Sequence, residues 1–103
     1  MRELFGLHGT IIAKPGQRDA LLAVLLDASK GAPWMPGCRL YIVSLVPDDP
    51  DAIAVTEVWD DKASHDASLT LESVRETIGR AGPLIAGFGT SSELRPVVGL
   101  SPP

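Results

Sequence analysis

The spacing of apolar and polar positions changes along the chain, and each change marks an element. Leu4 to Ala13 mixes Leu4, Phe5, Leu7, Ile11 and Ile12 with small residues and stops at Lys14-Pro15-Gly16, which predicts a strand closed by a turn. Gln17 to Lys30 switches to helical spacing. Leu21, Leu22, Leu25 and Leu26 recur one turn apart while Arg18, Asp19, Asp27 and Lys30 lie mostly elsewhere, so this helix has one apolar stripe and needs a sheet to lie on. The segment from Gly31 to Gly37 breaks it. Cys38 to Val46 predicts a second strand, Pro47 to Asp51 a hairpin loop, and Ala52 to about Trp59 the return strand. Asp60 or Asp61 is placed to cap a helical turn from Lys62 to Leu69. A second helical piece begins at Leu71 with Leu71, Val74, Ile78 and Ala81 on one side, and Gly82-Pro83 kinks or ends it. Thr90 to Val98 predicts a last strand, at an edge or near its end because of Pro96, and Gly99 to Pro103 a frayed tail.

The central hairpin is apolar on both sides. Leu40, Tyr41, Ile42, Val43, Leu45 and Val46 occupy both parities of the second strand, whereas a hairpin wet on one face would alternate. The order β-α-β-β-α-β predicts an α+β, ferredoxin-like antiparallel sheet with its helices on one face. The opposite face then lacks a cover within the chain, and packing against a second copy is the simplest way to bury it, so a homodimer is expected.

Length and charge narrow the partners. The 103 residues suit one domain, with a core from about residue 4 to residue 98. A 45% hydrophobic and 21% charged composition is that of a globular chain. The net charge of -4, with no stripe of Lys and Arg, argues against nucleic acid and against an anionic membrane surface. The longest apolar run, Ala20 to Leu26, is far short of a bilayer span, and the N-terminus lacks the apolar core of a signal peptide. With Cys38 alone, no internal disulfide or thiolate metal cluster can form in one chain, and the cytoplasm is the expected compartment. The two histidines and scattered acids show no metal-ligand spacing.

Four short motifs in order, Lys14-Pro15-Gly16, Pro36-Gly37-Cys38, Asp48 to Asp51 and Glu57-Val58-Trp59, resemble those of the antibiotic biosynthesis monooxygenase family over about residues 5 to 95. The resemblance implies a dimeric α+β barrel, two ferredoxin-like sheets packed together with a ligand pocket in each subunit between sheet and helices. It also implies oxidation of a quinol, an anthrone or a similar electron-rich aromatic by molecular oxygen as co-substrate, with no metal, flavin or other cofactor. Such chemistry leaves a faint signature, because the deprotonated ring itself passes an electron to oxygen and the protein need only bind it and exclude water. A non-catalytic dimeric module that binds or senses a small aromatic metabolite is the alternative. Haem degradation, performed by a relative of the same fold, ranks third. It is expected to need an asparagine on the first strand and a histidine ligand in the second helical region, where this chain has His8 and the stretch Arg75 to Arg80, and no asparagine anywhere.

The resemblance places Trp59 at a strand end beside the pocket, where an indole can stack on a planar ring and donate one hydrogen bond. Glu57 shares its parity, as do Val55 and Ile53, so a carboxylate is expected on a covered face. There it serves as a base for a phenol or pairs with Arg39, Arg75 or Arg80. His65 follows six residues after Trp59 on the covering helix and can carry a proton; many family members place a histidine about three residues later, where this chain has Ser68. Trp59, Glu57 and His65 are the catalytic candidates. His8, Tyr41 and Val55 are the candidates for substrate contact, and Cys38 reads as a small buried hydrophobe rather than a nucleophile.

Overall fold

The first turn shows why the glycine of Lys14-Pro15-Gly16 is needed. Strand β1 (Phe5–Ala13) runs into it, Gln17 donates its backbone N–H to the Lys14 carbonyl at 2.9 Å, and Gly16 sits at φ 78, a conformation that suits a residue without a Cβ. Helix α1 (Arg18–Ser29) follows, then the hairpin β2 (Cys38–Leu45) and β3 (Ala52–Trp59). Helices α2 (Lys62–Ser68) and α3 (Glu72–Ala81) come next, and a short turn of 3-10 helix at Gly82–Leu84 delivers β4 (Ile85–Leu94). The structure is a computed structural model that describes residues 3–31 and 35–97. Residues 32–34 of the expected helix break, Val98 and the expected tail lie outside the described residues.

The strands form one antiparallel sheet in the order β2-β3-β1-β4, the ferredoxin-like arrangement, with the helices on one face. The register fixes which residues meet the helices. Phe5 opposes Trp59, Leu7 opposes Glu57 and Ile11 opposes Ile53, while Tyr41 and Val43 lie beside Glu57 and Val55. Alternation turns these inward and leaves His8, Thr10, Ile12, Leu40, Ile42, Thr56 and Val58 on the other face. The core lies under α1. Leu21 and Ile53 are fully buried, joined by Ala13, Val24, Leu25 and Ala81, each large side chain contributing about 1.5–3 kcal/mol through removal from water.

Two expectations shift. The buried stripe of α1 is Leu21, Val24 and Leu25, with Leu22 partly covered and Leu26 47% exposed, so the helix is rolled away from the Leu22-Leu26 side. The last strand begins at Ile85 and ends at Leu94, ahead of the expected Thr90 to Val98. Its early half carries Gly87 and Gly89 and two irregularities in its pairing with β1, which blur the alternation that would announce a strand. Pro96 accordingly lies past the strand end, and β4 is an edge strand.

Candidate active site

Helix α2 brings a histidine over the end of the sheet. Its start is fixed by Asp61, whose carboxylate accepts the Ser64 backbone N–H at 2.7 Å, a conventional N-cap. Gly37 makes room for it. At φ 82 this residue lies so close to the helix that a Cβ would come within 2.6 Å of the Ser64 side chain, and its carbonyl accepts the Asp60 N–H at 2.8 Å. The Pro36-Gly37-Cys38 motif is therefore a packing requirement of α2. Gly37→Ala is expected to lower stability by about 1–3 kcal/mol, read from chemical denaturation, because it adds both backbone strain and a clash at the residue preceding His65.

The structure gathers Trp59, Glu57 and His65. Trp59 is 2% exposed, and its indole N–H donates to Glu57 Oε1 at 3.1 Å. The His65 ring lies edge-on to the indole at 5.8 Å between centroids and packs against Phe5 at 5.3 Å. Its side chain is only 15% exposed, and Nδ1 lies 3.0 Å from Asp66 Oδ1. An Nδ1–H donated to that carboxylate leaves Nε2 as the basic nitrogen. Asp66 is shared with Lys62 at 2.8 Å, and the hydrogen bonds from Lys62 and then His65 hold its carboxyl below the usual carboxylate range. Glu57 thus has an indole partner in place of an arginine: Arg39 pairs with Asp60, and Arg80 with Asp27 at 3.1 Å.

A cavity of about 880 Å³ opens between the sheet and the helices, with Tyr41, Glu57, Trp59 and His65 at one end and α3 along its wall. A smaller hollow of about 340 Å³ adjoins it and is bordered by Val55 together with Tyr41, Glu57 and Phe88. Val55 also packs against the core. Tyr41 is half-buried, and burial first, then the Glu57 carboxylate, then Cys38, push its phenol up to about 12. It therefore stays a hydrogen-bond donor at any working pH. Burial and then Glu57 likewise push the Cys38 thiol up, which suits a packing residue and not a nucleophile.

Tyr41 is the chain's single tyrosine, so its ionisation can be followed alone. Phenolate absorbance is expected to rise near pH 12 in the folded protein and near 10.0 when unfolded. Stability is unaffected below the lower value and falls between the two, because the unfolded chain loses the proton first. Glu57→Gln is expected to bring the folded transition down.

His8 is not brought to this group. It borders the smaller hollow, but its imidazole Nδ1 lies 2.8 Å from Thr56 Oγ1, and both residues have the parity of the helix-free face. Three neighbours went unforeseen. Phe5 faces His65 simply because it opposes Trp59 in the register; Asp66 was signalled only by adjacency to the histidine. Phe88, 74% exposed at the cavity rim, had no sequence signal because the glycines around it hide its strand. Ser68 also lines the cavity, its hydroxyl donating to the His65 carbonyl at 2.6 Å. Residues three apart on a helix share a face, so a histidine at either position would reach the same cavity wall.

The antibiotic biosynthesis monooxygenase family profile matches residues 4–80, and the chain belongs to that family. A structure from Chloroflexus aurantiacus J-10-fl, provisionally named an antibiotic biosynthesis monooxygenase, is 48% identical, superposes with a TM-score of 0.88, and the match covers 95% of this chain and 97% of that one. A Caulobacter crescentus CB15 structure of the same provisional name shares the fold at 18% identity, TM-score 0.86, over 94% of this chain and 92% of its own. A Mycobacterium tuberculosis structure does so at 18% identity and TM-score 0.81, over 95% and 99%. No curated protein matches the chain. Among the described residues no helix is long and apolar enough to cross a membrane.

Proposed function

We propose that this chain is a monooxygenase that oxidises a quinol, an anthrone or a similar electron-rich aromatic with molecular oxygen, using no metal or flavin. The observation that carries this is the cavity itself: a hollow large enough for a multi-ring aromatic, with a histidine–aspartate pair, a protonated phenol and a buried indole at one end. A purely structural module would fill that space.

In this reading His65 Nε2 takes a phenolic or benzylic proton, and Asp66 holds the imidazolium that results. Tyr41 donates a hydrogen bond to the ring oxygen. Glu57 fixes Trp59, and the indole forms the wall against which the ring is aligned. The ring anion passes one electron to oxygen, and superoxide and the ring radical then join in a carbon–oxygen bond. Loss of water from the peroxide leaves the new carbonyl. For a hydroquinone the balance is one quinol and one dioxygen giving one hydroxyquinone and one water. The proton moves within the site, so the carboxylate of Glu57 faces no net gain of negative charge.

The uncovered sheet face, with Leu40, Ile42 and Val58 upon it and Ile42 47% exposed, supports a homodimer formed by pairing of two such faces. Light scattering at micromolar concentration is expected to return the mass of two chains, and of one chain for Ile42→Asp. Oxygen consumption with a panel of hydroquinones and anthrones, corrected for autoxidation, tests the activity. Rates above background are expected for at least one ring system, and rates equal to buffer across the panel would refute it.

A further inference from the structure

We propose that the cavity selects its aromatic ligand by the charge of the ring's substituent, favouring phenols with a cationic substituent over neutral ones and disfavouring those with an anionic substituent; this rests on the reading of the cavity as the place where a planar ring binds. Three carboxylates reach its wall, Asp27 from α1, Glu57 from β3 and Glu76 from α3, against one guanidinium, Arg80. Asp27 and Arg80 neutralise each other across the gap between α1 and α3. Glu57 and Glu76 remain. The partner of Glu57 is the uncharged indole, which fixes the carboxylate without cancelling its charge. Glu76 forms no ion pair among the described residues, and it lies on the polar stripe of α3, Ser73, Glu76, Thr77 and Arg80, that borders the cavity. His65 is the other titratable group on the wall besides Tyr41, and its Nδ1 is occupied by Asp66.

The neighbours of Glu57 register its field. Tyr41 and Cys38 both hold their protons more firmly than usual, with Glu57 the second cause after burial in each case. A carboxylate that raises a fixed phenol in this way acts equally on a charged substituent of a bound one. Low-dielectric walls of Ile11, Leu25 and Val74 let the attraction reach across the hollow, while its open mouth admits salt and screens it.

Three phenols of similar shape and low reactivity toward oxygen separate the charge effect from turnover: para-hydroxybenzylamine, para-hydroxybenzyl alcohol and para-hydroxybenzoate. Calorimetry at low salt and neutral pH is expected to rank them amine, alcohol, benzoate, with roughly tenfold between the extremes. Glu76→Gln and Glu57→Gln should each narrow that span. Glu72→Gln, on the same helix but off the cavity wall, should leave it unchanged and so controls for overall charge. Benzoate binding as tightly as the alcohol, a span unaltered in both cavity variants, or no binding by any of the three would overturn the proposal. Oxygen uptake with hydroquinones is measured separately, so a charge-ranked cavity that turns nothing over would refute the monooxygenase reading alone.

Discussion

Trp59→Ala is expected to lower the unfolding free energy by about 3–5 kcal/mol and to abolish oxygen uptake. The indole is buried between sheet and α2, touches the His65 ring and holds Glu57, so its removal opens a cavity and frees two functional side chains at once. Trp59→Phe separates these roles. Phenylalanine keeps most of the apolar volume but has no donor, leaving the half-buried carboxylate one hydrogen bond short at about 1–2 kcal/mol. Denaturant unfolding should show that smaller loss, and the rate should fall roughly tenfold as the ring wall loosens. Wild-type rate and stability in Trp59→Phe would show that the indole–carboxylate bond has no role.

His65→Gln should leave the fold nearly intact and cost roughly a hundredfold or more in kcat, the usual range for loss of a positioned base. Asp66→Asn should cost about tenfold. It keeps a hydrogen-bonding group beside Nδ1 but loses the charge that stabilises the imidazolium and the ion pair with Lys62. A structural role predicts changes in stability and KM; a base predicts a fall in kcat with KM held. More acidic phenols, already ionised in solution, should narrow the gap between wild type and His65→Gln. An equal loss for acidic and ordinary phenols would count against proton transfer by this histidine.

What the chain reveals in advance depends on whether a residue's environment is local. Parity alone put Glu57 and Trp59 on one covered face, and the register agrees; it also sets Tyr41 and Val43 beside Glu57 and Val55. The turn at Lys14-Pro15-Gly16 and the cap at Asp61 were equally legible, since each is satisfied within a few residues. Contacts between distant segments were not. That Gly37 packs beneath Ser64, that His8 turns to Thr56 on the open face, and that Arg80 is held by Asp27 all follow from how elements dock. Strand β4 was misplaced for a different reason. Its glycines and irregular pairing remove the periodic signal, and its edge position relaxes the demand for alternating burial.

In the proposed reaction the cavity beside Trp59, Glu57, Tyr41 and His65 delivers one atom of dioxygen to an aromatic ring. Turnover of a responsive hydroquinone or anthrone under isotopically labelled oxygen, with mass spectrometry of product and water, tests it most directly. One labelled atom in the product and one in water is the predicted result, lost in parallel with rate in His65→Gln. Unlabelled product, or labelled hydrogen peroxide formed in place of an oxygenated ring, would contradict it.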